Sequence, residues 1–193
     1  PMDKVLSLTA QMAQEGIRRL LVLSGDDAWC LQQALLLRKR LAGDGLWVGP
    51  QPMEAPCISP EALKSLLGRE YRHAFFDARS GFDAAAFAAL SGTLKAGSWL
   101  ILLTPSFTRW PTRPDADSLR WSDAPDPIPT PNFVSRFCQQ ISADNASILW
   151  RQGNELAVPA LPVRPPWHPA DGHPQVEQAT VLAELARFPP GIA

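Results

Sequence analysis

Arg19 to Leu23 (RLLVL) runs directly into Ser24, Gly25, Asp26 and Asp27, and this stretch decides the class of fold. Leu20 to Leu23 are apolar with no polar alternation, the mark of a strand buried on both faces of a parallel sheet. Ser24 and Gly25 are turn residues. The two aspartates then stand where a helix N-terminus favours negative charge. Trp29 to Leu41 follows as a long helix, so strand, turn and helix form the first half of a β-α-β unit.

The same alternation recurs along the chain. Leu46-Trp47-Val48 reads as a strand, His73 to Phe76 as another ending at Asp77, and Trp99 to Leu103 (WLILL) as a third, stopped at Thr104-Pro105. Ser147 to Trp150 is the last. Between them the spacing predicts helices. Asp3 to Gln14 places Val5, Leu8 and Met12 on one face and ends at Gly16. Ser59-Pro60-Glu61 is a helix start after the proline-interrupted loop of Gly49 to Ile58. Phe82 to Leu94 is rich in alanine, a strong helix former, and Asn132 to Ile141 is a further helix.

These elements predict an α/β three-layer sandwich, Rossmann-like or flavodoxin-like, with a mostly parallel sheet of about five strands. The alternation lapses from Pro105 to Pro131, and a loop of that length is expected to be functional or packed on a partner. Pro159 to Pro174 holds six prolines in sixteen residues and reads as a linker. A final helix spans Gln175 to Arg187 and stops at Pro189-Pro190-Gly191. The division expected is residues 1–164 as the α/β domain and 165–193 as linker and helix.

Composition limits the function. The 193 residues are 46% hydrophobic, enough to build a core. There are 18 basic and 19 acidic residues, a formal charge of −1. Neither half has the basic excess of an autonomous nucleic-acid binder. Cys30, Cys57 and Cys138 are irregularly spaced, which argues against a disulfide framework or zinc site and fits a reducing compartment. No apolar run approaches the ~18–20 residues that span a bilayer. A cytoplasmic location is expected.

Few motifs carry chemistry. The turn at Ser24 lacks the G-x-G-x-x-G of a dinucleotide site, and no Walker A loop or nucleophile elbow appears. One constellation calls for a separate reading. Asp26 and Asp27 end the first strand, Asp77 the third and Thr104 the fourth, the layout of a phosphoacceptor receiver that holds Mg²⁺ on clustered carboxylates. The lysine such a site needs at the fifth strand is replaced by Trp150-Arg151. The bland alternative is a pair of aspartates at a helix start. His168 and His173 lack further ligands nearby, His73 begins a buried strand, and Arg38-Lys39-Arg40 suits a helix C-terminus.

Longer strings carry more information. Gln11 to Gly25 (QMAQEGIRRLLVLSG), Leu67 to Glu70 (LGRE), Phe76 to Arg79 (FDAR) and Gly81 to Phe87 (GFDAAAF) are four of them. With Gly92 to Gly97 (GTLKAG) and Pro114 to Trp121 (PDADSLRW), they closely resemble the N-terminal domain of the bacterial tRNA(Met) cytidine acetyltransferases. The resemblance covers essentially the whole chain.

The resemblance implies an enzyme that acetylates the wobble cytidine of elongator tRNA(Met) to N4-acetylcytidine. That enzyme uses acetyl-CoA and hydrolyses ATP or GTP with Mg²⁺. It also implies a domain order: this α/β region, a helicase-like NTPase module, a GNAT-type acetyltransferase domain and an RNA-binding region. The phosphate loop would follow shortly after Pro189-Pro190-Gly191, so the present region is expected to be non-catalytic and to bind no cofactor of its own. Gln178, with Gln175 as the fallback, matches the glutamine that reads adenine in the NTPase module. Arg120 and Trp121 are the residues expected to touch a partner domain or the tRNA, through phosphate pairing and stacking.

Overall fold

The computed structural model describes residues 1–43, 45–50, 57–66, 68–160, 164–168 and 171–187. Most of the loop between Gly49 and Ile58, Leu67, parts of the proline-rich linker, and the stop at Pro189-Pro190-Gly191 lie outside them. Six strands form one sheet: β1 Arg19–Ser24, β2 Gly45–Val48, β3 Cys57–Ile58, β4 His73–Asp77, β5 Trp99–Thr104 and β6 Ile148–Arg151. Their order is β3-β2-β4-β5-β1-β6, and every pairing is parallel. The strand beyond the expected five is β3, an edge piece of two residues, too short to leave a periodic pattern.

The helices are α1 Met2–Glu15, α2 Asp27–Arg40, α3 Ala84–Ser91, α4 Pro131–Ala143 and α5 Val176–Leu185. Asp26 caps α2 by accepting the Trp29 N–H at 2.8 Å, and Asp83 caps α3 by accepting the Ala86 N–H at 3.0 Å. The helix start at Ser59-Pro60-Glu61 leads into a 3₁₀ helix, Pro60–Leu66, rather than an α-helix. Its first closing bond, Ala62 N–H to Ser59 O at 3.1 Å, spans three residues rather than four.

Alternate residues of each strand serve opposite layers. Leu21, Leu23, Ile101 and Leu103 pack with Val5 and Met12 of α1 and with Cys30, Ala34 and Leu37 of α2. Val22, Leu100 and Leu102 pack with Ala86 and Leu90 of α3 and Val134, Cys138 and Ile141 of α4. Each fully buried Leu or Ile contributes about 1.5–3 kcal/mol of transfer free energy. That is why the central strands read as unbroken apolar runs.

The stretch from Pro105 to Pro131 is pinned to its own domain. Asp115 accepts the N–H of Phe82 at 3.2 Å and of Asp117 at 2.8 Å, and Ala116 N–H donates to Ser80 O at 2.8 Å. Trp110 from this stretch is buried against Phe82 and Phe137, ring centroids 5.7 Å away in each case. The linker also touches the domain: Trp167 N–H donates to Gln14 O at 2.9 Å, and its ring fills the space that a side chain at Gly16 would need. By contrast, every residue of α5 is exposed.

Candidate functional site: the carboxyl edge of the sheet

Ser24, Thr104 and Arg151 stand side by side, because β1 pairs with β5 and β6 in that register. In an open α/β sheet, ligands bind beyond this edge. Two adjoining hollows lie there. One, of about 700 Å³, is bounded by Ser24, Phe107, Gln139, Ser142, Arg151 and Asn154. The other, of about 1030 Å³, is bounded by Asp26, Asp27, Arg109, Thr112 and Arg113. Gly25, Ser106, Thr108 and Gln152 line both.

The walls are held by side chains committed to the backbone. The buried Ser24 hydroxyl accepts the Phe107 N–H at 3.1 Å and donates to Pro105 O at 3.3 Å, fixing the loop that leaves β5. Gln152 binds Asp26 twice: its Oε1 accepts the Asp26 N–H at 2.8 Å, and its Nε2 donates to Asp26 Oδ2 at 2.7 Å. A Cβ at position 25 would lie 2.7 Å from Gln152 Oε1 and from the Trp29 ring, so the closure needs glycine.

The sequence brought Asp26, Asp27 and Asp77 into consideration as a phosphoacceptor cluster, and the structure corrects that reading. Asp26 is spent on the α2 cap, and the Trp29 N–H, followed by the Gln152 amide, holds its carboxyl below the ordinary value. Asp27 pairs with Arg113 at 3.2 Å. Asp77, almost fully buried, pairs with Arg79 through bonds of 2.7 and 2.8 Å, and these raise the guanidinium above its ordinary value. Each carboxylate faces a donor of its own chain. Among the described residues, no group of His, Cys, Asp and Glu is placed to hold a metal ion.

Two of the three thiols are buried away from reactants. Burial pushes Cys30 up to about 12 and Cys138 up to about 11, so both stay protonated at neutral pH. His73 is structural: Nδ1 accepts the Trp99 N–H at 3.1 Å, leaving Nε2–H to donate to Ala42 O at 3.1 Å. Burial lowers it to about 4. His168 and His173 lie exposed within the linker.

The residues named for partner or tRNA contact do not line these hollows and lie on the loop before α4. Arg120 donates to both oxygens of Asp117 at 3.0 and 3.1 Å and lies 3.5 Å from Asp83, so its guanidinium orders the loop. Trp121 is 54% exposed, and its near neighbour Leu119 is 50% exposed. Gln178 lies on the face of α5 that carries Val181, Leu182 and Leu185, as the three, four and seven residue spacing requires. Its Oε1 accepts the Gln175 N–H at 3.0 Å, so the two glutamines form the N-terminal cap of α5.

Arg109, Phe107 and Gln152 were not legible as site residues. Phe107 and Arg109 follow β5 and Gln152 follows β6, and only the parallel pairing of β1 with both strands brings the two loops together. The one available signal was Arg151, a cation at the end of an apolar strand.

The chain has clear relatives among known proteins. The profile of the family described as tRNA(Met) cytidine acetyltransferase TmcA, N-terminal, matches residues 2–152. The tRNA(Met) cytidine acetyltransferase TmcA of Citrobacter koseri is 58% identical over 191 residues, 99% of this chain and 28% of that protein. That of Salmonella typhimurium is 56% identical over the same share. That of Pectobacterium atrosepticum is 49% identical over 94% of this chain and 26% of its own length. The chain therefore spans little more than a quarter of these relatives, and by the profile match over most of its length it belongs to the family of TmcA N-terminal domains.

Proposed function

We propose that this chain serves as the non-catalytic N-terminal domain of an RNA acetyltransferase that forms N4-acetylcytidine at the wobble position of elongator tRNA(Met). Acetyl-CoA and Mg²⁺ with ATP or GTP would bind the GNAT-type and helicase-like domains of the same polypeptide. The observation that carries the reading is the 58% identity to an enzyme of which the chain spans 28%. Acetyl transfer needs acetyl-CoA and the cytosine amine held together, with the base presented out of its stack. The carboxylates and thiols of the sheet edge are committed to the chain's own donors or held protonated.

Two features support a neighbouring domain. α5 exposes Val176 by 84%, Val181 by 55%, Leu182 by 57% and Leu185 by 59%, and a helix of ten residues is marginal in water without a packed face. The NTPase module is the proposed cover, with Gln178 released from its cap to read adenine and Gln175 as the alternative. Exposed Trp121 is the second feature, the proposed contact to a partner domain or tRNA.

The test has two arms. The coding sequence beyond Ala193 should carry a G-K-[ST] phosphate loop within about twenty residues, the context that a Walker A motif requires. The longer polypeptide should acetylate elongator tRNA(Met), while the present chain, given tRNA, acetyl-CoA and ATP, should form no acetylcytidine by mass spectrometry. Acetylation by the chain alone, or a reading frame without the loop, would sink the reading.

A further inference from the structure

The charges along the carboxyl edge do not cancel. Asp27 is neutralised by Arg113 and Asp77 by Arg79, which leaves Asp26 as the one unmatched carboxylate lining the hollows. Against it stand two guanidinium groups. Arg109 and Arg151 make no hydrogen bond or ion pair with a carboxylate among the described residues. Arg151 lies over the Phe107 ring, 5.8 Å from its centroid. An unpaired arginine held on an aromatic ring presents a flat cationic plane to solvent.

We propose that the two adjoining hollows form one trough that takes the phosphodiester backbone of RNA, with Arg109 and Arg151 on phosphates. The proposal rests on the reading that the chain serves a tRNA enzyme, and it names where that RNA touches the domain. The usual anion seat, the N-terminus of α2, is already filled by the Asp26 carboxylate on the Trp29 N–H. A mononucleotide phosphate is therefore repelled from the place where a Rossmann-type fold would hold it. The anion must instead be met by side chains along the edge, and these lie in hollows of about 700 and 1030 Å³ that share a wall. That is room for an extended strand.

Arginine pairs bidentately with phosphate, and RNA recognition combines such pairs with stacking on aromatic or guanidinium planes and bonds to ribose hydroxyls. Gln139, Ser142 and Asn154 line the trough beside Arg151 and supply the last of these. The floor is already rigid, since Ser24 pins Phe107 and Gln152 pins Asp26, so little order is lost on binding.

Fluorescence anisotropy of labelled elongator tRNA(Met), at low salt and through a salt titration, tests the trough on this chain. Arg109→Gln/Arg151→Gln should weaken binding at least about fivefold and flatten the log–log salt slope by about 1.4, roughly 0.7 for each single-strand phosphate no longer neutralised. Lys39→Glu, at the far end of α2, is the charge control and should change binding by less than about twofold at the upper end of the titration, near 0.15 M salt, where an exposed charge farther than about 8 Å is largely screened. Unchanged binding in the double variant, an equal loss in Lys39→Glu, or full competition by cytidine monophosphate or inorganic phosphate would each overturn the proposal. Both arginines are exposed, and unaltered circular dichroism and melting of the variants exclude unfolding as the cause. Acetyl transfer is not the readout, so failure here removes the trough and leaves the enzyme reading standing. Failure of acetylation by the longer polypeptide does the reverse.

Discussion

Gln152 and Asp26, 126 positions apart, are joined through both polar atoms of the glutamine amide, one to the Asp26 backbone and one to its carboxylate. The turn after β6 is thereby tied to the cap of α2, and the edge strand is locked to the centre of the sheet. Gln152→Ala should lower the melting temperature by roughly 2–4 °C, the response of a domain this size to two broken bonds at a solvent-exposed site. Asp26→Ala should do more, because the helix cap goes too. Thermal denaturation of both variants and their double mutant checks the order. Additive losses would show that the pair is not coupled.

His73 makes stability depend on pH. Its folded value of about 4 lies below the ordinary 6.5, so the unfolded chain binds more protons between those values. The stabilisation is complete above pH 6.5 and declines as pH falls towards 4. Its full size is roughly 3 kcal/mol by linkage. Urea unfolding across that range should show the slope, and His73→Gln should flatten it. A slope of equal size in the variant would assign the effect to other groups.

Gly97 adopts φ 80° in the turn before β5, and a Cβ there would meet Ala13 of α1 at 2.9 Å. Gly97→Ala should cost about 1–3 kcal/mol, the combined effect of backbone strain and displaced helix packing. Chemical denaturation measures it directly. A neutral result would mean that α1 yields without penalty.

Phe82 is the centre of the aromatic layer under the long loop, with ring centroids of Phe76 at 5.9 Å, Phe87 at 5.4 Å and Phe137 at 5.1 Å. Phe82→Ala should destabilise the domain by about 3–5 kcal/mol. It should also expose the stretch from Pro105 to Pro131 to proteolysis. Protection equal to the native chain would mean that Asp115 alone anchors the loop.

Alkylation separates the cysteines. Cys30 and Cys138 are buried and held near 12 and 11, so iodoacetamide at about pH 8 should spare both in the folded protein. Cys57 is only half-buried and should be labelled first, though slowly, because burial raises its thiol too. Peptide mass spectrometry before and after denaturation reads the order.

The sequence by itself determined the class of fold. LLVL, AFF and WLILL are continuous apolar runs because both faces of those strands are buried, and a strand that must satisfy two layers cannot hide its composition. It also determined the helix start at Asp26 and Asp27, since a cap is a local device. The tertiary structure alone decided the order of the strands, and with it everything at the carboxyl edge. Parallel pairing joins residues far apart in the chain and leaves no periodic trace, so nothing local placed Arg109 near Arg151 or Gln152 on Asp26. Arg120 shows both cases: its pair with Asp117 is local, whereas its contact with Asp83 forms only after α3 and the long loop have packed together.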